Sequence, residues 1–290
     1  GKPALFGAPT IESLLKAEEE PFECAEIDVN EEVAVAFTSG STGVPKGVIF
    51  HQGVFLAQLD LLLNEIGIQP GEVDMPGLFS LSLFGPALGL AEVFPDMDIT
   101  APATLDPAKL VQLIQRKGVS NSFGSPTIWR IIAEYCEPRN IQLPSLKRIL
   151  MSGAPVQPYL LKSYTKILDD GETYTPYGAT EALPLTLMSG SEILAETAAL
   201  SEQGHGMCVG YPVSTATLRL IGITDEVISA WSDDLVLPQG EVGEIVAKGP
   251  MVTRSYLNRP EKTALAKIYE NGEVWHRMGD LGYFDEKGRL

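Results

Sequence analysis

Cysteine and histidine are scarce in this chain of 290 residues, which contains three of each. Cys24, Cys136 and Cys208 are widely separated, and none forms a C-x-x-C pair or a metal-like spacing with a histidine. We therefore expect no structural zinc and a reducing, cytoplasmic setting. Residues 1–4 contain no apolar signal core, so nothing indicates secretion.

Basic side chains are outnumbered, since 21 Lys and Arg accompany 38 Asp and Glu and the formal charge is −17. A charge of this sign repels nucleic acid and anionic membrane surfaces over long range. Any phosphate ligand must then depend on donors close to it. We expect a small-molecule site and no nucleic-acid partner.

An uninterrupted apolar run long enough to span a membrane is missing too. The nearest candidate, residues 75–94, has Glu92 as its only charge, but prolines and glycines such as Pro76 and Gly89 break it. A spanning helix needs about 20 consecutive apolar residues. We therefore interpret this segment as a buried strand, a turn and a short helix in a soluble core, and we expect no transmembrane segment.

Hydrophobic residues are plentiful at 44%, which is enough for a substantial core, and predicted strands alternate with predicted helices. Asp106 followed by Pro107 predicts a helix start, Gly118 predicts the end of that helix, and residues 119–123 follow as a strand. The same order recurs along the chain. It predicts an α/β fold with a layered, mostly parallel sheet.

The last third of the chain has a different pattern, in which strands dominate. Residues 217–221, 243–247 and 281–284 are each predicted to form a strand, and turns such as Glu-Asn-Gly at 270–272 separate them. This pattern predicts a smaller β-rich subdomain packed on the first.

One stretch, residues 38–47, combines small size with hydrogen-bonding capacity. It lies between two apolar segments, the first of which, 33–37, is predicted to be a buried strand. A Ser/Gly-rich surface linker is the alternative, but linkers are seldom enclosed by two apolar runs. Backbone N–H groups and hydroxyls in such a loop can approach phosphate oxygens, with a lysine as countercharge.

The Walker A pattern of phosphate-binding loops does not fit this stretch, because Pro45 occupies its glycine position and Gly47 its hydroxyl position. The residues assigned to phosphate binding are Thr38, Ser39, Gly40, Ser41, Thr42, Gly43 and Lys46.

Read as Thr-Ser-Gly-Ser-Thr-Gly-x-Pro-Lys-Gly, residues 38–47 closely resemble the signature loop of the adenylate-forming superfamily, which includes acyl-CoA synthetases, luciferases and peptide synthetase adenylation domains. Residues 177–181, Tyr-Gly-Ala-Thr-Glu, resemble its Y-G-x-T-E motif. Residues 152–155 are similar to its adenine-flanking segment, and 275–282 to its ribose motif, although Met278 stands where threonine is more usual. The loops at 38–47, 152–155 and 177–181 are each expected beyond a strand end of the sheet, where ligands bind.

The resemblance implies a role for each motif. Tyr177 would lie on the adenine face, Thr180 would meet the α-phosphate, Glu181 would hold Mg²⁺, and Asp280 would bind the ribose hydroxyls. ATP and Mg²⁺ are the implied cofactors, and Lys46, Thr180 and Glu181 form the implied catalytic set. The remaining nucleotide-binding residues are Gly153, Ala154, Pro155 and Gly178.

The resemblance also implies a domain organisation. The chain would be part of the large N-terminal domain of an adenylate-forming enzyme. Residues 1–29 would be a lead-in segment, 30–205 an α/β AMP-binding subdomain, and 206–290 a β-rich subdomain that ends at the hinge. The smaller C-terminal domain, which carries a catalytic lysine in relatives, is expected to be absent.

Within the superfamily, residues 78–98 look most like the olefin β-lactone synthetases, bacterial enzymes of long-chain hydrocarbon biosynthesis. This implies ATP-dependent activation of a long-chain, β-hydroxy fatty acid to an acyl-adenylate with release of pyrophosphate, and then lactone closure with release of AMP. Other enzymes of hydrocarbon biosynthesis are candidate partners. Two alternatives stay open: a fatty acyl-CoA ligase that uses CoA or a carrier protein, and a nucleotide-binding module without turnover.

Overall fold

A computed structural model gives the structure of this protein for residues 13, 16, 25–38, 44–77, 82–98 and 101–290. The strands are β1 Glu32–Phe37, β2 Gly47–His51, β3 Val73–Pro76, β4 Ala91–Glu92, β5 Asn121–Gly124, β6 Arg148–Met151, β7 Glu172–Tyr174, β8 Tyr177–Ala179, β9 Ala182–Leu187, β10 Tyr211–Pro212, β11 Thr217–Ile221, β12 Gly243–Lys248, β13 Lys267–Glu270 and β14 Glu273–Gly282. The α-helices are α1 Gln52–Asn64, α2 Phe84–Leu88, α3 Pro107–Lys117, α4 Pro126–Cys136, α5 Pro158–Ile167, α6 Gly190–Glu192, α7 Ala198–Glu202 and α8 Pro260–Ala266.

Five parallel strands in the order β4-β3-β5-β6-β7 form the largest sheet of the described residues. Helices α3, α4 and α5 contribute to the hydrophobic core beside it, in which Trp129, Ile132 and Ile149 are fully buried. The local signals act as predicted in α3, since Asp106 Oδ1 accepts a hydrogen bond from Ala108 N at 3.0 Å. The predicted α/β fold with a mostly parallel sheet is confirmed.

The last third of the chain contains an antiparallel sheet in the order β11-β12-β14-β13. The strands predicted at 217–221 and 243–247 coincide with β11 and β12. The strand predicted at 281–284 was wrong in position, because β14 begins at Glu273 and already ends at Gly282. Asn271 and Gly272, with φ of 48° and 88°, form the tight turn that starts β14 directly after β13.

The surroundings of the loop at 38–47 differ from the prediction in two ways. β1 and β2 pair antiparallel, so this loop does not follow a strand of the parallel sheet. A connection this short permits only antiparallel pairing, since parallel neighbours need a crossover of a dozen or more residues. β1 is also not the buried strand predicted, because Val33, Val35 and Phe37 are 39%, 42% and 69% exposed and its only partner strand in the described part of the chain is β2.

The segment 177–181 also lies off the parallel sheet. It forms β8 and the turn into β9, within an antiparallel sheet of order β10-β9-β8. Only 152–155 directly follows a strand of the parallel sheet, β6. Among its described residues, the candidate apolar span at 75–94 contains the end of β3 and the short helix α2, as predicted, and also the strand β4, which was not predicted. No helix within the described ranges is both long and apolar enough to cross a bilayer.

Candidate functional site

A cavity of about 770 Å³ opens where β6 and β7 end, a volume within the range of small-molecule and cofactor sites. The loop after β6 forms one wall, the segment from Thr175 to Gly178 forms a second, and the end of β14 forms a third. Six residues predicted to bind nucleotide line this cavity. They are Gly153, Ala154, Pro155, Tyr177, Gly178 and Asp280.

A hydrogen bond joins two of these walls. Tyr177 Oη donates to Asp280 Oδ2 at 2.8 Å across 103 positions of sequence. Burial, and then the hydrogen bond to Asp280, raise the pKa of the Tyr177 hydroxyl, so it remains a neutral donor. The residue predicted for adenine and the residue predicted for ribose therefore lie side by side in one cavity.

Glycine is required at two points of this wall. A Cβ atom at Gly178 would lie 2.4 Å from Ala182 O, so only glycine allows β8 to approach β9 this closely. Gly153 has a φ of 90° and faces open space, which lets the loop after β6 turn while leaving the cavity clear. The first feature permits the close pairing of the hairpin, and the second keeps side-chain bulk out of the cavity at the loop after β6.

The β8–β9 hairpin carries the site beyond the cavity. Ala179 pairs with Ala182, which leaves Thr180 and Glu181 as the two residues at the tip. Thr180 is half-buried, whereas Glu181 is only 6% exposed despite its place in a turn. The carbonyl oxygen of Glu181 accepts two hydrogen bonds from Thr253, from N at 2.9 Å and from Oγ1 at 3.0 Å. These two hydrogen bonds hold the tip of the hairpin against Thr253.

Three side chains meet at this tip, and we call Lys46, Glu181 and Tyr256 the tip cluster. Tyr256 Oη donates to Glu181 Oε1 at 2.7 Å and accepts from Lys46 Nζ at 3.2 Å. Lys46 Nζ lies 3.6 Å from the same Glu181 oxygen. Burial, and then the contact with Glu181, raise the pKa of Tyr256, which keeps its hydroxyl protonated. The tip cluster therefore consists of a cation, Lys46, and an anion, Glu181, which are joined through the neutral hydroxyl of Tyr256.

The loop residues Ser39 to Gly43 lie outside the described residues. The two ends of the loop are closed against each other, since Thr38 N donates to Lys46 O at 3.0 Å and Lys46 N donates to Thr38 Oγ1 at 3.3 Å. Lys46 does not line the cavity itself. The β8–β9 hairpin connects the cavity to Lys46, because Tyr177 at its base lines the cavity and Glu181 at its tip contacts Lys46.

The donors at the tip suit a hard cation that is shared with phosphate. Within the described ranges, the hydrogen bond from Tyr256 and the ion pair with Lys46 both go to Glu181 Oε1, which leaves Oε2 for another ligand. The same ranges contain no group of three or more His, Cys, Asp or Glu that could hold a metal alone. Mg²⁺ is commonly bound through one or two carboxylates together with substrate phosphates. One carboxylate beside a lysine fits that mode.

Tyr256 and Thr253 were not predicted from the sequence. Tyr256 contacts Lys46, which is 210 positions away, and Thr253 contacts Glu181, which is 72 positions away. No local sequence pattern indicates contacts over such distances. A third residue, Lys267, did carry a signal, since it is a lone charge between Ala264-Leu265-Ala266 and Ile268. A lysine in such an apolar run is either wrongly placed or bound to a buried acceptor.

A family model described as AMP-binding enzyme matches residues 3–257 of this chain. An olefin β-lactone synthetase from Stenotrophomonas maltophilia (strain K279a) is 46% identical over 272 residues, which cover 92% of this chain and 48% of that protein. A protein of the same name from Xanthomonas campestris pv. campestris is 45% identical over 274 residues, with 92% and 48% covered. The chain therefore spans about half the length of these curated relatives.

A solved structure with the same fold is that of O-succinylbenzoate coenzyme A synthetase from Bacillus subtilis in complex with ATP and a magnesium ion. It matches with a TM-score of 0.74 at 22% identity, covering 96% of this chain and 53% of that one. At this identity the likeness supports the fold alone.

Proposed function

Because this chain belongs to the AMP-binding enzyme family, we propose that it binds ATP with Mg²⁺ and activates the carboxyl group of a long-chain β-hydroxy fatty acid. The observation that carries the proposal is the arrangement of the β8–β9 hairpin. Its base places Tyr177 beside Asp280 in the cavity, and its tip places Glu181 beside Lys46. One nucleotide lying along the hairpin would contact all four residues.

In the first step, an oxygen of the substrate carboxylate attacks the α-phosphorus of ATP. The bond from that phosphorus to the bridging oxygen of pyrophosphate breaks, and pyrophosphate leaves. The substrate supplies the nucleophile, so the protein's part is to position two anions and to offset their charge. Tyr177 and Asp280 would orient the nucleoside, while the Lys46 ammonium would lie against the phosphates. A Mg²⁺ ion held by Glu181 would supply further positive charge there.

In the second step, the β-hydroxyl oxygen of the acyl group attacks its own acyl carbon. The bond from that carbon to the phosphate oxygen breaks, AMP leaves, and the hydroxyl proton is lost to solvent. ATP and the β-hydroxy acid thus become a β-lactone, AMP and pyrophosphate. No thiol acceptor is needed, because the attacking hydroxyl is tethered next to the carbonyl. The 46% identity to a protein named olefin β-lactone synthetase supports this outcome.

The proposal is tested by supplying the protein with ATP, Mg²⁺ and a long-chain β-hydroxy fatty acid, without CoA. We expect AMP, pyrophosphate and a product whose mass equals that of the acid minus one water. The matched control is the same fatty acid without its β-hydroxyl, which should support exchange of labelled pyrophosphate into ATP but give no lactone.

Three other outcomes would contradict parts of the proposal. Formation of AMP from the β-hydroxy acid with no lactone would exclude the second step. A thioester that forms only when CoA is added would favour an acyl-CoA ligase. Nucleotide binding with no pyrophosphate exchange would favour a module without turnover.

A further inference from the structure

Lys267, the first residue of β13, is a buried lysine outside the set of residues assigned to the reaction. It is 1% exposed, and its ammonium donates to Thr253, to O at 2.5 Å and to Oγ1 at 3.4 Å. Nowhere in the described chain does a carboxylate form an ion pair with it. Burial lowers the pKa of Lys267 to about 7, against the opposing influence of the Glu181 charge. Removing an ammonium from water in this way is costly.

Thr253 connects this lysine to the tip of the hairpin. It is fully buried, and both its N–H and its hydroxyl donate to the Glu181 carbonyl oxygen. A threonine hydroxyl can donate one hydrogen bond while it accepts another. Thr253 Oγ1 can therefore accept from Lys267 and donate to Glu181 at once. A neighbouring antiparallel bridge between Ala182 and Val252 strengthens the same contact.

The buried neighbour of Lys267 on the next strand is His276, which is opposite it in the β13–β14 register. His276 Nδ1 lies 3.2 Å from Ala266 O. Burial, and then the charge of Lys267, lower the pKa of His276, so the imidazole stays neutral. The histidine therefore adds no second charge and offers Lys267 no counterion. Of the two buried neighbours, Thr253 and His276, it is Thr253 that accepts the hydrogen bonds of Lys267, and Thr253 contacts the tip of the β8–β9 hairpin.

If this position served packing alone, an apolar side chain would fill it at a lower cost in free energy than a buried lysine. Glu181, by contrast, needs such support, because a two-residue turn is ordinarily exposed and mobile. Partners that orient a metal-binding carboxylate through its own contacts have a large effect on metal affinity. Burying Lys267 costs free energy, but its contacts with Thr253 support the turn that carries Glu181, where rigidity favours metal binding.

We propose that Lys267 is a positioning residue, which clamps Thr253 and thereby fixes the Glu181 carboxylate for a cation bound together with the ATP phosphates. The inference rests on the proposed function of Glu181 and extends it to a residue that contacts neither substrate nor metal.

The test compares Lys267→Met with Lys248→Met. Methionine keeps most of the length and volume of lysine without its charge. Lys248 lies on β12 of the same sheet, where its ammonium pairs with Glu270 at 2.6 Å and with Glu273 at 3.0 Å, so it is the matched control. Binding of Mn²⁺, a paramagnetic substitute for Mg²⁺, is measured by electron paramagnetic resonance. The solution contains an ATP analogue with a methylene group between the α and β phosphorus atoms, which cannot be cleaved.

We expect Lys267→Met to raise the Mn²⁺ dissociation constant by roughly tenfold, with Lys248→Met unchanged. Binding of the nucleotide without metal should be the same in all three proteins. Thr253→Val, which retains the lysine, should weaken Mn²⁺ in the same direction and carries the test should Lys267→Met fail to fold. The double variant should be no weaker than Lys267→Met alone, because both changes break one chain of contacts.

The outcomes separate this inference from the proposed function. If the unaltered protein binds Mn²⁺ with the nucleotide, and Lys267→Met and Thr253→Val bind it equally well, the positioning role is wrong and the proposed function stands. If the unaltered protein does not bind the nucleotide at all, both are overturned.

Discussion

The Lys46 ammonium lies 3.6 Å from Glu181 Oε1, so the residue next to the start of β2 meets the tip of the β8–β9 hairpin. Tyr256 lies between them and hydrogen-bonds to both. The pair has opposite charges, and Lys46 is partly open to solvent, with 34% of its side chain exposed. A triphosphate and its cation could therefore bind here by drawing the partly exposed Lys46 ammonium to phosphate, while the Glu181 carboxylate stays in place and meets the cation.

Replacing Lys46 tests the cationic half of the tip cluster. Lys46→Met should reduce fatty-acid-dependent pyrophosphate exchange by roughly 100-fold, because it removes the positive charge beside the phosphates. Its stability should fall as well, because the Glu181 side chain is only 8% exposed and loses its cationic partner, so folding is checked separately by denaturant unfolding. Exchange is followed with labelled pyrophosphate.

Lys166→Met is the matched control for this change. Lys166 lies on α5 and forms a surface pair with Glu137 at 3.2 Å. This variant should exchange pyrophosphate normally. Full exchange by Lys46→Met would remove Lys46 from the reaction.

Removing one hydroxyl from Tyr256 should affect both stability and nucleotide use. Tyr256→Phe keeps the ring but breaks the hydrogen bond to the Glu181 carboxylate, which we expect to lower the free energy of unfolding by about 2 kcal/mol. The KM for ATP should rise severalfold at limiting Mg²⁺, because Glu181 loses its bridge to Lys46. Denaturant unfolding and steady-state kinetics measure the two effects.

Tyr164→Phe separates these effects. Tyr164 is also buried, and its hydroxyl donates to Trp129 O at 2.7 Å, in the core beside the parallel sheet. We expect this variant to lose stability with no change in the KM for ATP. Equal effects of the two substitutions on KM would show that the Tyr256 contact is purely structural.

Asp280 should recognise the ribose. Asp280→Ala is expected to weaken ATP binding by roughly 10-fold, the loss of a charge-assisted hydrogen bond. The same substitution should leave the affinity for 2′,3′-dideoxy-ATP unchanged, since that ligand has no ribose hydroxyls to lose. Calorimetric titration of both ligands into both proteins measures this. Equal weakening of the two nucleotides would contradict the assignment.

Asp74 should make stability depend on pH. It stands opposite Glu92 in the β3–β4 register, and burial, and then the Glu92 charge, raise its pKa from 3.8 to about 7. The unfolded chain therefore releases this proton at lower pH than the folded protein, so the contribution of Asp74 to stability falls as pH rises from about 4 to about 7. Asp74→Asn should remove this contribution to the slope, leaving the smaller one from Glu92, whose pKa is also raised by burial, and should raise the free energy of unfolding at pH 8 by on the order of 1 to 3 kcal/mol.

The control for this pH effect is Asp60→Asn. Asp60 is exposed on α1 and accepts a hydrogen bond from Asn64. Denaturant unfolding across the pH range should give this variant the same slope as the unaltered protein. A slope in Asp74→Asn that is the same as in the unaltered protein would show that Asp74 does not contribute to it.

Parts of the site with a local signature could be predicted from the sequence. Tyr177, Glu181 and Asp280 each stand in a short pattern of residue types, and the structure brings Tyr177 to Asp280 and Glu181 to Lys46. The helix start at Asp106 was equally predictable, because capping depends on neighbours within one turn.

Features that depend on distant partners could not be predicted. The continuous apolar run at residues 33–37 indicates a strand but does not say what covers it, and Phe37 proves to be 69% exposed. Tyr256 lies in a mostly polar segment with no recognisable pattern, so its role is evident only once Lys46 and Glu181 are placed around it. The antiparallel pairing of β1 with β2 likewise follows from the length of the connection rather than from the motif within it.

The most direct test of the account is calorimetric binding of ATP, with and without Mg²⁺, to the unaltered protein, Asp280→Ala and Glu181→Gln. If the hairpin joins a nucleoside site to a metal and phosphate site, Asp280→Ala weakens ATP in both conditions. Glu181→Gln then weakens it by roughly tenfold only when Mg²⁺ is present. No saturable binding by the unaltered protein, or affinities indifferent to both substitutions, would contradict the claim that these residues surround one nucleotide.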